Sequence, residues 1–326
     1  MLLLYSNGKY LHCVQLCLEV WGNEYEKIKA TCIRAEKLGF YGFYYGESLA
    51  DIDLDCWTII SALVPQTNRI KLGPVITYLL PQYRSIALLA KQAVTFQELS
   101  NGRLEFRAGA GAALQYATGW WYPYGIEYPR EAERVSILDE GLQLLQMLWD
   151  SRNKSSLHFN GKYFKINGAI VKKATNSIPI TVAAKKNRMM KIAVKYADVW
   201  ESSYITPSQF SSLNAEFENI LKEMNSDHNN NNNNNKNRKD ITKSIELDVI
   251  IAESHSELEY KKRIFAMERG PGVYNQILTH GLVGRPDTIA QRINEYTDAG
   301  VDQFFLAFQD PLDLKALDLF MDAVKS

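Results

Sequence analysis

The feature that most constrains this chain is a repeated grammar: an apolar strand, a polar turn, then an amphipathic helix. Such repetition favours parallel strands joined by helical crossovers, because each helix buries its apolar stripe against the sheet it has just left. Residues 10–18 read as the first strand; the helix behind them carries Ile28, Cys32, Ala35 and Leu38 on one stripe and closes at Gly39, a residue suited to a left-handed helix end. Further strands are expected at 40–45, 70–77, 103–108, 178–183, 197–202, 245–252 and 303–308. Helices are expected between them, with the most regular at 130–149 on the stripe Val135, Leu138, Leu142, Leu145 and Leu148. Eight strands alternating with helices predict a (β/α)8 TIM barrel with insertions, occupying 1–326 as one domain; an open doubly wound sheet is the alternative.

Two insertions interrupt the alternation. Residues 157–171 read as a small ribbon, and the stretch at about 226–241, with HNNNNNNNKNRKD at 228–240, is expected to be a disordered Asn-rich surface loop because that tract has no apolar side chain to bury.

Composition narrows the function classes. With 46% hydrophobic and 23% charged residues the chain is globular. Its 37 Lys and Arg balance 37 Asp and Glu, so no global field collects nucleic acid or an anionic membrane. Leu2-Leu3-Leu4 is followed by Ser6, Asn7 and Lys9, and nothing resembles a membrane span or signal peptide, so a cytoplasmic protein is expected. Cys13, Cys17, Cys32 and Cys56 form no C-x-x-C pair and read as buried free thiols, with no metal site implied.

In a barrel the chemistry gathers just after each strand, at the carboxyl face. The residues there are Glu47, then Val75, Ile76 and Thr77, then Gly109, Ala110 and Gly111, then Ala183, Ala184, Lys185, Lys186 and Asn187, and then residues 201–203. Gly109-Ala110-Gly111 is too short for a dinucleotide fingerprint and is either a tight turn or a place where a flat ring approaches the backbone. Lys185, Lys186, Arg188 and Lys191 open a helix, where free N–H groups and side chains suit a phosphate; a solvated helix face is the alternative. Glu47 is the acidic candidate at the mouth, with a helix cap or ion pair as its structural alternative. Trp120, Trp121, Tyr122 and Tyr124 are either core or one wall of a pocket for a flat organic molecule. None of the five histidines follows strands two to six, which leaves Ser-His-Asp catalysis and histidine metal clusters with little support.

Several segments in their order and spacing resemble the bacterial luciferase-like superfamily of flavin- and deazaflavin-dependent oxidoreductases. They are RIKLGPVIT, LLAKQAVTFQELSNGRLEFRAGAG, EYPREAERVSILDEGLQLLQMLW, FNGKYFKINGA, IPITVAA with KYADVW behind it, and VGRPDTIAQRINEYTDAGVDQFFL. LGPVIT and the pair Ala183-Ala184 are most similar to the deazaflavin branch, the group resembling methylenetetrahydromethanopterin reductase.

The resemblance implies coenzyme F420, or alternatively FMN, on the carboxyl face of a homodimer, with a small-molecule substrate. It also implies a cis peptide at Val75–Ile76, ring contacts from Glu47 and Gly109–Gly111, and a phosphate at Ala184–Asn187. Trp57, Trp120, Trp121 and Ser202 would line the substrate side, and Glu47 would polarise the ring or relay a proton.

The expected activity is F420-dependent hydride transfer to or from a small organic molecule. The alternatives are an FMN-dependent monooxygenase served by a separate flavin reductase, or a noncatalytic flavin-binding homologue. The departures from the branch are specific: Glu47-Ser48 replaces its acid–histidine pair, Ala112 a glutamate and Thr206 a lysine, which argues against a sugar-phosphate substrate. Lys185-Lys186-Asn187 replaces a glycine-rich phosphate loop, exchanging close backbone approach for side-chain charge.

Overall fold

The computed structural model describes residues 2–6, 9–150, 156–230 and 240–325. In chain order the first half runs β1 (Leu2–Ser6), β2 (Lys9–Val20), α1 (Tyr25–Leu38), β3 (Gly42–Gly46), α2 (Cys56–Leu63), β4 (Lys71–Val75), α3 (Ile86–Leu99), β5 (Phe106–Ala108), α4 (Leu114–Trp120) and α5 (Glu131–Trp149). The second half continues with β6 (Leu157–Asn160), β7 (Lys165–Ala169), β8 (Ile180–Ala183), α6 (Asn187–Tyr196), β9 (Val199–Ser203), α7 (Pro207–Asn230) and β10 (Thr242–Ile251). It ends with α8 (His255–Arg269), α9 (Pro271–His280), β11 (Leu282–Gly284), α10 (Pro286–Asp298), β12 (Gln303–Phe308) and α11 (Leu314–Lys325).

Parallel strands run in the order β4-β3-β2-β12-β10-β9-β8-β5. Bridges at Leu72–Leu104 and Thr77–Ala108 then join β4 to β5, so the eight expected strands close into the barrel. Each strand is hydrogen-bonded to the next one in sequence around the ring, the arrangement that right-handed strand–helix crossovers produce. β6 and β7 form the expected antiparallel ribbon.

Three features depart from the sequence reading. β1 pairs antiparallel with β2, and β11 adds a short parallel strand beside the carboxyl end of β10. The expected loop at 226–241 is in part helix, since α7 runs through Asn230; Asp240 and Ile241 lead into β10, and residues 231–239 lie outside those described. Extending a helix that is already many turns long costs far less than nucleating one, so polar residues at its end are carried along.

The core lies mainly between strands and helices. Leu138, Leu142, Leu145 and Leu148 of α5 are all fully buried, each contributing roughly 1.5–3 kcal/mol relative to exposure. Trp200 of β9 stacks on Phe217 and Phe210 of α7, with ring centroids 4.2 and 5.7 Å away. α1 ends as expected at Gly39, whose φ of +94° only glycine adopts readily. Inside the barrel the packing is polar: Glu105 accepts the hydroxyls of Tyr41 and Tyr44 at 2.5 Å, beside Cys17 and Phe305. Cys17, Cys32 and Cys56 are free and buried, and no helix among the described residues is long and apolar enough to cross a membrane.

Candidate active site

The carboxyl face carries an open cleft of about 870 Å³, bounded by the ends of β2, β3, β4, β10 and β12 and by α8. Glu19, Glu246 and Asp248 contribute acids to its wall, and Trp21, Trp120 and Tyr204 contribute aromatic faces. Of the residues singled out from sequence, Val75 and Trp120 line this cleft.

The rest gather on the β4, β5 and β8 side of the ring. The Val75–Ile76 peptide is cis. Thr77 N–H then donates to Arg107 O at 2.9 Å, which ties the end of β4 to β5. The Thr77 hydroxyl donates to Glu47 at 2.7 Å, Arg84 pairs with Glu47 at 2.6 Å, and Tyr83 donates to the same carboxylate at 3.3 Å. Glu47 is buried, and burial raises its pKa although Arg84 and the two hydroxyls pull it back.

At Gly109 an added Cβ would stand 2.8 Å from Ile76 Cδ1, and 4.0 Å from Ala183 Cβ. Glycine therefore lets the Ile76 side chain pack directly on the backbone at the end of β5, beside Ala183 of β8. Gly111 has φ +87°, and a Cβ there would fall 2.1 Å from the Tyr128 hydroxyl. Arg134 of α5 fixes this turn by donating to Ala110 O at 2.7 Å, Ala112 O at 2.9 Å and Pro129 O at 2.6 Å. Sequence reasoning missed Arg134, which sits on the stripe of a long amphipathic helix and is nonetheless buried.

Ala184 donates to Glu201 O and accepts from Trp200 Nε1, both at 2.8 Å. Lys186 is the N-cap of α6, whose first turn starting at Asn187 has no side-chain cap. Its ammonium pairs with Glu131 at 2.5 Å, and Lys185 donates to Ser203 O at 2.8 Å. Burial lowers the pKa of Lys185. Trp57 and Trp121 stand behind the cleft wall: Trp57 packs on Phe96 and Phe106, and Trp121 on Tyr78, Tyr83 and Tyr128. Ser202 is fully buried two residues on from Trp200, and strand alternation puts it on the helix-facing side with Trp200.

The centre of the barrel holds the charges that sequence reasoning did not assemble. Arg107 pairs with Glu201 at 2.5 Å, with Glu246 at 3.0 Å and with Glu19. The available signal was a charge inside otherwise apolar strand runs, as in LCLEV, LEFRA, VWESS and IELDV. Strands covered on both faces cannot leave such a charge unpaired.

Burial pushes Glu201 up to about 6, and burial together with neighbouring Glu246 pushes Asp248 up to about 7. Both carboxyls bind protons more tightly folded than unfolded, so their contribution to stability is lost as pH rises through that window. His280, lowered by burial to about 4, acts in the opposite sense only below its ordinary value of 6.5. Urea unfolding is therefore expected at a lower midpoint near pH 8 than near pH 6.5. A midpoint that rises over that interval would contradict the excess of buried protons.

The family model described as luciferase-like monooxygenase matches residues 16–303. Over 142 residues the chain is 28% identical to the 5,10-methylenetetrahydromethanopterin reductase of Archaeoglobus fulgidus, covering 44% of this chain and 39% of that one. It is also 28% identical over 211 residues to the pyrimidine monooxygenase RutA of a Bradyrhizobium species, covering 59% of this chain and 55% of the other. The matched stretches thus span between two-fifths and just over half of these relatives. Among solved structures, an F420-dependent secondary alcohol dehydrogenase in complex with an F420-acetone adduct superposes with a TM-score of 0.80 at 18% identity, over 96% of this chain and 100% of that one. At that identity the likeness establishes the fold.

Proposed function

Because the chain belongs to the luciferase-like monooxygenase family, we propose that it is an oxidoreductase moving a hydride between coenzyme F420 and a small organic substrate. The observation that supports this reading is the open cleft of about 870 Å³ at the carboxyl face, where Val75 at the end of β4 and the aromatic faces of Trp21, Trp120 and Tyr204 line a space suited to a flat ring.

The uncapped first turn of α6 offers backbone N–H donors to a phosphate, and Lys185 and Lys186 add positive charge there. In this reading Ala183 to Asn187 hold the phosphate, and Ile76 with Gly109, Ala110 and Gly111 supports the ring. Trp120 walls the substrate side of the cleft. When bound, F420 supplies a carbon that accepts or donates hydride, and the protein supplies orientation and a water-poor wall. Glu47 keeps Thr77, Tyr83 and Arg84 in place around the end of β4.

A second reading, an FMN-dependent monooxygenase supplied by a separate reductase, is favoured by the likeness to a pyrimidine monooxygenase over 59% of the chain. Titrating the purified protein with F420 and, in parallel, with FMN separates the two. Saturable binding of F420 alone is expected. Preference for FMN would move the assignment to the monooxygenase, and binding of neither would overturn both. In the F420 reading Glu47 also polarises the ring or relays a proton, so Glu47→Gln is expected to lower turnover roughly 100-fold while leaving cofactor affinity near that of the wild type; unchanged turnover would remove Glu47 from the mechanism.

A further inference from the structure

Arg107 lies at the centre of an unbalanced charge cluster that the hydride-transfer reading leaves unused. Its Nε donates to Glu201 at 2.5 Å, its Nη2 to Glu246 at 3.0 Å and its Nη1 to Glu19, so each nitrogen of the fork serves a different strand. The guanidinium also stacks over Phe305, 4.2 Å from the ring centroid. The Tyr204 hydroxyl donates to the other oxygen of Glu246, and Ser203 lies 3.5 Å from Glu201. Asp248 adds a fourth carboxyl next along the same face of β10. Lys185 and Arg269 act on these acids from the margin, and neither forms an ion pair with them among the described residues.

Three carboxyls in direct contact with one guanidinium, with a fourth beside them, cannot all be ionised in a buried site without strong mutual repulsion. We propose that this cluster holds a proton at neutral pH and is the acid–base store of the cleft, which it meets at Glu19 and Glu246, the two Arg107-bound carboxyls that line the opening. Burial acts in the same direction, pushing the Glu19 carboxyl well above the usual carboxylate range. Arg107 and Glu201 are positioning residues: they do not line the cleft and act through the other two.

The use of this proton follows from the chemistry of a carbonyl. A carbonyl carbon that accepted hydride from reduced F420 would form a C–H bond as the cofactor was oxidised, and the carbonyl oxygen would take the stored proton to become a hydroxyl. The cluster is left with one more negative charge and refills from water in the cleft. The reverse direction returns hydride and proton to the same places. That use rests on the hydride-transfer reading, whereas the stored proton does not.

Infrared spectroscopy of the cofactor-free protein near neutral pH tests the store directly. A carboxylic-acid C=O stretch is expected, shifting in D2O because the group exchanges with the cleft. Glu201→Gln and Glu19→Gln should each weaken it, since either relieves part of the excess charge, while the share of Asp248 remains. Absence of the band, or an undiminished band in either variant, would overturn the proposal. If the variants fail to fold, the wild type decides: the band should vanish only as pH rises past neutrality, and loss within the ordinary carboxylate range refutes the store. With reduced F420 and cyclohexanone as probe, Glu19→Gln is expected to turn over roughly 100-fold more slowly and to lose the decline of rate at high pH, with cofactor affinity retained. Failure of F420 to bind would strike the functional reading alone and leave the infrared result standing.

Discussion

Arg107→Met is expected to cost about 3–5 kcal/mol of stability near pH 8, the range seen when one partner is removed from a buried ion pair. Methionine keeps much of the length of the side chain and its contact with Phe305 but removes the one positive charge that, among the described residues, pairs with Glu19, Glu201 and Glu246. Glu201 cannot retreat to solvent, because β9 is fixed in the ring by pairing with β8 and β10, and Glu19 and Glu246 stay beside it at the cleft wall. Proton uptake relieves the excess charge, so the variant should recover stability as pH falls towards 6. Adding Glu201→Gln to Arg107→Met should restore part of the loss, a non-additive pair because the two side chains are in contact. Urea midpoints of wild type, single and double variants near pH 6 and pH 8 check all of this together. An Arg107→Met protein as stable as the wild type near pH 8 would mean that the network adds nothing to folding.

The contrast between this cluster and the barrel around it explains what the sequence could and could not reveal. The strands around Phe43, Leu72, Val182 and Leu306 were legible because buried parallel strands flanked by amphipathic helices leave a local pattern. The Gly109–Gly111 turn and the cis bond at Val75–Ile76 were reached through order and spacing of motifs that resemble a known family. Partnership inside the ring leaves no such trace. Arg107 is 88 residues from Glu19 and 139 from Glu246, and only closure of the barrel sets their distances. Trp57 and Trp121 show the converse: an aromatic residue near the mouth has the same sequence signature whether it faces the cleft, as Trp120 does, or packs behind it.

Gly73→Ala tests the closure itself and is expected to destabilise the protein by roughly 3–5 kcal/mol, combining overpacking with lost hydrogen bonds. A Cβ at position 73 would stand 2.2 Å from Glu105 O and 3.0 Å from Tyr44 Cε1. The carbonyl is backbone and has no rotamer to escape into. It is held by the bond from Leu72 N to Arg103 O at 2.9 Å and the bond from Glu105 N to Leu72 O at 3.1 Å. The strands must therefore spread at the β4–β5 seam, where short bridges replace a full ladder. Spreading there also loosens the bond from Thr77 N to Arg107 O, which connects the Glu47 network to the central charges. If the proposed F420 reading holds, F420 affinity should fall along with the urea midpoint. Gly119→Ala provides the control, since nothing lies within 4 Å of its Cβ in α4 and the substitution should stabilise by about 0.4–1 kcal/mol. If Gly73→Ala unfolds at the wild-type midpoint, the seam yields without cost, and rigid closure is not what holds the Glu47 network at the end of β4.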